Sequence, residues 1–137
     1  MTTVYDTPGG KLISKAAEDL KGKIKKPAWA DSVKTGPNRM RMPDSPDWYY
    51  HRTASVLRKI YLKGPIGVQK LRVMYGSKKS RGHKPEEFRK SGGKAIRSVL
   101  IELDKLGFTE KFERNGRRIT SKGRSYLDKM ASSLKNG

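Results

Sequence analysis

The segment from Trp48 to Lys63 constrains the fold of this chain more than any other part of the sequence. At about 100° per residue along a helix, its apolar and small side chains cover a wide arc. They belong to Tyr49, Tyr50, Thr53, Ala54, Val56, Leu57, Ile60 and Tyr61. Arg52, Lys59 and Lys63 align on the remaining strip. An arc this wide predicts a central helix that several neighbouring elements contact.

Apolar residues repeat at helical spacing in four other segments as well. The predicted helices are Pro8–Leu20, Val68–Tyr75, Lys94–Leu106 and Ser121–Leu134. Thr7 and Asp47 are the residue types that cap helix starts, and each directly precedes a predicted helix. Between the helices we expect a short turn at Trp29–Val33, an extended basic connection at 36–46, a basic loop at 76–85 and a brief turn within 86–91.

One β-hairpin is predicted near the C-terminal end. The apolar period changes from helical to alternating at Phe108–Phe112, which indicates a strand. Arg114-Asn115-Gly116 then forms a tight turn, and Arg117–Thr120 forms the return strand, since Asn-Gly between alternating residues favours a hairpin.

The order of these elements predicts the fold class. Three helices followed by a hairpin match a winged helix, in which the hairpin is the wing. We therefore predict a mainly α, winged-helix-like helical bundle around a central amphipathic helix, with one β-hairpin wing. The chain is expected to be one domain, divided into an N-terminal helix and connection (1–46), the winged-helix core (47–120) and a C-terminal helix (121–137).

The charge of the chain indicates a polyanionic partner. Its 32 Lys plus Arg face only 13 Asp plus Glu, for a net charge of +19. Repulsion of this size favours a working state against nucleic acid or an anionic membrane surface. The absence of cysteine removes disulfides, thiolate zinc sites and thiol nucleophiles. No apolar run approaches a membrane span, and residues 1–10 do not predict a signal peptide.

The basic residues concentrate on adjoining elements. A charge run is usually a solvated face, but between Trp48 and Arg97 the only acidic residues are Glu86 and Glu87. Such a region would neutralise phosphates with a steep dependence on salt. The candidate nucleic-acid-binding residues are Trp48, Arg52, Arg58, Lys59, Lys63, Lys78, Lys79, Arg81, Lys84, Lys94, Arg97, Arg117 and Arg118.

The aromatic residues of the central helix and the basic wing tip could each serve either nucleic-acid binding or the structure of the fold. Aromatic residues at helical spacing are more often core than base-stacking platforms, so we predict that Tyr50 and Tyr61 are buried. Trp48 fits either use. The basic wing tip fits a groove or a nucleic-acid backbone as well as it fits a simple soluble turn.

The sequence offers no catalytic, metal or cofactor site. His51 and His83 have no cysteine or carboxylate cluster beside them in the sequence. Ser91-Gly92-Gly93-Lys94 lacks the spacing of a phosphate loop, and a helix start is the better interpretation. Its exposed amides would still suit a backbone phosphate. Glu86-Glu87 is interpreted as the acidic first turn of a short helix.

With these segments in place, the sequence closely resembles the archaeal and eukaryotic small-subunit ribosomal protein S19e family, which is unrelated to the bacterial protein of the same number. The first matching stretch runs from Asp47 through Trp48-Tyr49-Tyr50-His51-Arg52 to Arg58. The others are Ile60–Pro65, Tyr75-Gly76, Arg81-Gly82, Gly116-Arg117-Arg118-Ile119-Thr120, Lys122-Gly123-Arg124 and Pro27-Ala28-Trp29-Ala30. The likeness covers nearly the whole chain. High lysine content and absent cysteines favour an archaeal source.

The resemblance implies a place in the head of the small ribosomal subunit, bound to ribosomal RNA, in the cytoplasm. It also implies a role in maturing the small-subunit RNA and assembling the particle, next to other ribosomal proteins of the head. The family's basic surface on the central helix carries over to Arg52 and Arg58. No membrane partner is expected, and the free protein is expected to be a monomer.

Two other functions compete with this interpretation. A winged-helix DNA-binding regulator would read the major groove with its third helix. That helix carries Ile101, Glu102, Asp104 and Lys105 on its outer side, which is a poor set for reading bases. An enzyme acting on RNA would need an acid–base pair, and the sequence supplies no candidate. The chain is therefore predicted not to be an enzyme.

Overall fold

A computed structural model describes residues 3–31, 47–112 and 116–136, except for the side chains of 31, 78–81, 86, 135 and 136. The helices in these ranges are α1 (Gly9–Leu20), α2 (Trp48–Lys63), α3 (Val68–Met74), α4 (Gly93–Leu106) and α5 (Ser121–Asn136). The strands are β1 (Ser77–Arg81), β2 (Lys84–Arg89), β3 (Thr109–Lys111) and β4 (Arg117–Ile119). The five helices predicted from apolar periodicity are confirmed, and short 3₁₀ turns lie at Val4–Asp6 and Ala28–Asp31.

Helix α2 is the centre of the fold, as its wide apolar arc predicted. It packs against α1, α4, α5 and β4. Tyr49, Val56, Leu57 and Ile60 are fully enclosed by these elements. The hydroxyl of Thr53 is buried too, and it donates to the carbonyl of Tyr49, 2.9 Å away. Burying the Thr53 hydroxyl therefore costs little free energy, because its hydrogen bond is made within the helix.

The helix starts differ in detail from the sequence-based expectation. Asp47 is the N-cap residue of α2, but its side chain makes no capping hydrogen bond. Its carboxylate instead accepts a hydrogen bond from Lys21 Nζ at 3.0 Å. Thr7 was predicted to cap α1; the N-cap is Pro8, and the helix begins at Gly9.

The wing is joined to the rest of the fold by a short backbone bridge. Strands β3 and β4 pair antiparallel, with Thr109 opposite Ile119. Ile66, between α2 and α3, exchanges two hydrogen bonds of 2.9 Å with Arg117 of β4. Gly116 lies against Ile66 with φ of +90°, and a Cβ there would overlap the Ile66 carbonyl. The order α2, Ile66, α3, α4 and wing confirms the winged-helix-like fold.

A second hairpin stands where a loop and a brief turn were predicted. Strands β1 and β2 pair antiparallel, from Ser77 opposite Arg89 to Arg81 opposite Lys84, around Gly82 at φ of +69°. The predictions of a loop at 76–85 and of a helical first turn at Glu86-Glu87 are therefore wrong. The strands are almost entirely polar, so no apolar alternation marks them in the sequence.

The buried apolar residues of the described ranges form one cluster, to which α1, α2, α3, α4 and α5 all contribute. None of the described helices has the length and apolar character needed to cross a bilayer. The predicted connection at 36–46, the last residues of the predicted turn at Trp29–Val33 and the wing tip at 113–115 lie outside the described residues.

Candidate nucleic-acid interface

The basic strip of α2 is organised around one aromatic ring at the C-terminal end of α3. Tyr75, at the end of α3, lies under the Arg52 guanidinium, whose Cζ is 4.2 Å from the ring centroid. Lys59 Nζ is 5.3 Å from the same centroid. The Tyr75 hydroxyl pairs with Ser55 Oγ at 2.5 Å, which holds the ring against α2. Cation–π attraction therefore fixes two cations side by side on the surface.

These cations repel one another. Burial lowers the pKa of Lys59, and the neighbouring charges of Arg58, Lys63 and Arg52 lower it further. Each effect disfavours the charged ammonium, so the free protein holds this group at an electrostatic cost. A nearby anion would reverse the effect of the neighbouring cations.

Arg58 reaches from α2 to the start of α1. A methyl group placed on Gly9 would lie 2.8 Å from the Arg58 Cζ, so the guanidinium rests on the helix backbone there. Within the described residues, its buried Nε has no hydrogen-bond acceptor. A cation is also unfavourable at a helix N-terminus, where the helix dipole is positive. An anion held between Arg58 and the first turn of α1 would offset both costs.

A second basic group lies at the start of α4. Lys94 Nζ is 4.7 Å from the centre of the Trp29 ring, and its side chain is exposed. Arg97 is exposed as well, and its Nη1 would lie 2.7 Å from a methyl group on Gly93. The Ser91-Gly92-Gly93-Lys94 segment is the start of this helix, as predicted.

Sequence reasoning missed Arg72, which ties α3 to this region. Its Nε donates to the Ser91 carbonyl at 2.8 Å, and the Ser91 amide donates back to the Arg72 carbonyl at 3.0 Å. Gln69 accepts from Arg72 Nη1 at 3.3 Å. A lone arginine on a short helix gives no sequence signal for a partner nineteen residues away.

The candidates on the second hairpin occupy strand β1 and its turn. The backbone of Lys78, Lys79 and Arg81 lies in β1, whereas their side chains are outside the described residues. Lys84 opens β2 with an exposed side chain. Phe88, opposite Lys78, exposes half of its surface.

Both described wing arginines pair with carboxylates. Arg117 Nε donates to Asp104 Oδ2 at 2.9 Å, and the two side chains are only 19% and 27% exposed. Arg118 Nε donates to Glu110 Oε1 at 2.6 Å, and both of those side chains are about half exposed. The structure gives Arg117 a structural role that ties the wing to α4, whereas Arg118 faces solvent.

The aromatic residues of α2 belong to the core. Trp48 is 9% exposed, and its indole N–H donates to the Ala30 carbonyl at 3.0 Å. Trp48 was predicted to contact nucleic acid, but the structure places it in the core, because its ring is enclosed and its polar atom is already bonded. Tyr50 and Tyr61 are 9% and 7% exposed, which confirms the prediction that they are buried.

Other chemistries find little support in the described residues. His51 and His83 are both exposed, and the described ranges contain no group of three or more histidine and carboxylate side chains placed to hold a metal. The outer face of α4 is also ill suited to reading bases. Asp104 is bonded to Arg117, and Glu102 lies 3.8 Å from Lys105 Nζ.

Comparison with known proteins decides the family. The model of the family described as Ribosomal protein S19e matches residues 3–137. This chain belongs to the S19e family. It is 42% identical to small ribosomal subunit protein eS19 of Aeropyrum pernix, with 98% of this chain and 90% of that protein aligned. Identity to eS19G of Ascaris suum is 39%, with 98% and 93% covered, and to eS19A of Schizosaccharomyces pombe 41%, with 96% and 93% covered.

Membership confirms the resemblance on which the expectations rested. S19e is a family of ribosomal proteins and not of enzymes, which confirms that expectation for this chain. The two arginines that the S19e resemblance marked, Arg52 and Arg58, are both partly buried, one against Tyr75 and the other against Gly9.

Proposed function

We propose that this protein is a structural component of the small ribosomal subunit and binds ribosomal RNA through the basic residues of α2. The relatives are named as small-subunit ribosomal proteins, which supports the assignment to the ribosome. The cytoplasm is then its compartment. The observation that carries the RNA contact is the crowding of cations around Lys59, where the charges of Arg58, Lys63 and Arg52 lower its pKa.

Phosphate groups are the ligand that this face fits best. Arginine and lysine side chains positioned by Tyr75 and by the backbone of Gly9 present N–H donors that are fixed before binding. Charged donors of this kind form the strongest hydrogen bonds to phosphate oxygens, and releasing counterions from the RNA adds to the affinity.

The proposed contact surface is wider than α2. It includes the start of α4, the second hairpin and the outer side of the wing, because all are basic. Its members are Arg52, Arg58, Lys59, Lys63, Lys84, Lys94, Arg97 and Arg118, together with Lys78, Lys79 and Arg81 on strand β1. Trp48 and Arg117 are left out because the core and Asp104 occupy them.

The family also supports inferences about where the protein lies in the subunit and what it does there. We infer a position in the subunit head, beside neighbouring ribosomal proteins, and a role in maturing the small-subunit RNA and assembling the particle. The free protein is a monomer of one domain in this proposal. These inferences rest on the family to which the chain belongs.

Incorporation into small subunits tests the proposal. Arg52→Gln combined with Arg58→Gln removes two charges while keeping polar, unbranched side chains at both positions. The matched control removes the charges of Lys25 and Lys105, which are exposed elsewhere. Both proteins are compared by thermal unfolding and then by cofractionation with small subunits on sucrose gradients.

We expect the arginine variant to stay folded but to leave the small-subunit fractions, and the lysine control to remain there. Normal entry of the arginine variant would contradict the assigned surface. Tighter binding to duplex DNA than to small-subunit RNA at matched salt would instead favour the winged-helix DNA-binding regulator.

A further inference from the structure

A cleft of about 400 Å³ opens between the first half of α5 and the C-terminal ends of α1 and α4. Its floor is apolar, and its rim is basic. It is lined by Leu106, Phe108 and Tyr126 and by Lys23, Lys122 and Lys129, with Ser125 at its edge. Along α4, the cleft lies about 18 Å from the basic group at Lys94, at 1.5 Å per residue.

Two stacked aromatic rings with lysines on both sides line the cleft. The rings of Phe108 and Tyr126 are 4.5 Å apart and nearly parallel. Lys122 Nζ lies over Phe108 at 5.7 Å, and Lys23 Nζ lies over Tyr126 at 6.0 Å. The Tyr126 hydroxyl donates to Asp19 Oδ2 at 2.6 Å, which fixes its ring.

The rim carries more positive charge than the described residues neutralise. Lys23 lies 4.0 Å from Asp19, which also accepts from Tyr126. Lys122 and Lys129 form no ion pair with any carboxylate in the part of the chain that the structure describes. An apolar floor between two such ammonium groups complements an apolar side chain flanked by carboxylates.

We propose that this cleft binds an acidic peptide segment of a partner protein, with one apolar side chain on the Leu106 floor and carboxylates on Lys122 and Lys129. A nucleotide fits less well, because bases bind to unpaired aromatic faces by stacking. Here the outer faces of both rings lie under lysines, and Phe108 is only 4% exposed. The proposal does not depend on RNA binding by α2.

The probe is a fluorescein-labelled synthetic peptide with one phenylalanine flanked on both sides by aspartate and glutamate. A control peptide carries serine in place of the phenylalanine. Binding is measured by fluorescence anisotropy with three forms of the full chain: Lys122→Gln with Lys129→Gln, the exposed-lysine control Lys11→Gln with Lys70→Gln, and Ser125→Phe. The last form fills the cleft without changing its charge, because Ser125 is an exposed residue of its lining.

We expect loss of Lys122 and Lys129 to weaken binding of the phenylalanine peptide at least about fivefold, and loss of Lys11 and Lys70 to weaken it less than about twofold. Ser125→Phe should also weaken it, and the serine peptide should bind less tightly than the phenylalanine peptide. Equal effects of the two lysine pairs, or full binding by Ser125→Phe, would overturn the proposal. The proposal would also be overturned if single-stranded oligouridylate bound more tightly than the peptide and its binding required Lys122 and Lys129.

Discussion

Asp104 is the residue on which the attachment of the wing to α4 depends most. Its carboxylate accepts from Thr109 Oγ1 at 2.7 Å and from Arg117 Nε at 2.9 Å. Thr109 is 3% exposed, so its hydroxyl has little access to water as an alternative partner. We predict that Asp104→Ala destabilises the protein far more than loss of the exposed carboxylate of Glu110, which pairs with Arg118 at 2.6 Å.

The magnitude follows from burial. Leaving the Thr109 hydroxyl unsatisfied costs about 1–3 kcal/mol, and losing the charged hydrogen bond from Arg117 adds about 1 kcal/mol at its partial exposure. Asp104→Ala should therefore lower the free energy of unfolding by roughly 2–4 kcal/mol. The pair between Glu110 and Arg118 is about half exposed, so Glu110→Ala should cost less than about 1 kcal/mol.

Urea unfolding followed by far-ultraviolet circular dichroism measures both variants. Adding Thr109→Val to Asp104→Ala removes the unsatisfied hydroxyl, so the double variant should be destabilised less than the sum of the two single variants by about 1–2 kcal/mol. Equal destabilisation by Asp104→Ala and Glu110→Ala would refute the reasoning, because it would mean that burial of the pair does not matter.

In the same urea assay, Gly116→Ala should lower the free energy of unfolding by at least about 3 kcal/mol, because a Cβ would overlap the Ile66 carbonyl. Gly82 also has a positive φ but has open space around it, so Gly82→Ala should lower that free energy by only about 1–2 kcal/mol. Ribosomal RNA should raise the lowered pKa of Lys59 in an NMR titration, and no rise would argue against a phosphate beside it. Burial and the bond to Asp19 raise the pKa of Tyr126. The folded chain therefore keeps a proton that the unfolded chain loses above about pH 10, and stability falls as pH rises; Tyr126→Phe should flatten that fall in urea unfolding at each pH, and an unchanged slope would contradict it.

Helices were the part of the fold that the sequence predicted best. The apolar arc of α2 extends over four turns, and its bounds from Trp48 to Lys63 are those predicted. The hairpin at β1 and β2 was missed because its residues are almost all polar and carry no alternating apolar pattern. Its one usable signal was Gly82, which adopts the positive φ that a tight turn needs.

The candidate site was predicted by charge and not by geometry. Crowding of basic residues pointed to α2 and the start of α4, but no local pattern shows that Tyr75 organises Arg52 and Lys59. Arginine is a residue type that often binds phosphate, so Arg117 was predicted as a contact. Its ion pair with Asp104, thirteen residues away, forms only in the folded chain. Basic residues with a structural role are distinguished from exposed ones by contacts between elements that are distant in the sequence. A local sequence pattern does not show those contacts.

Arg52 and Arg58 of α2 are proposed to neutralise phosphates of small-subunit ribosomal RNA. The most direct test is the slope of log affinity against log salt concentration, measured by filter binding for the unmodified protein and for Arg52→Gln with Arg58→Gln. Losing two phosphate contacts should make the slope shallower by about 1.4–1.8, whereas the control lacking the Lys25 and Lys105 charges should keep the slope of the unmodified protein. An unchanged slope for the arginine variant would contradict the account, because it would place the phosphate contacts on another surface.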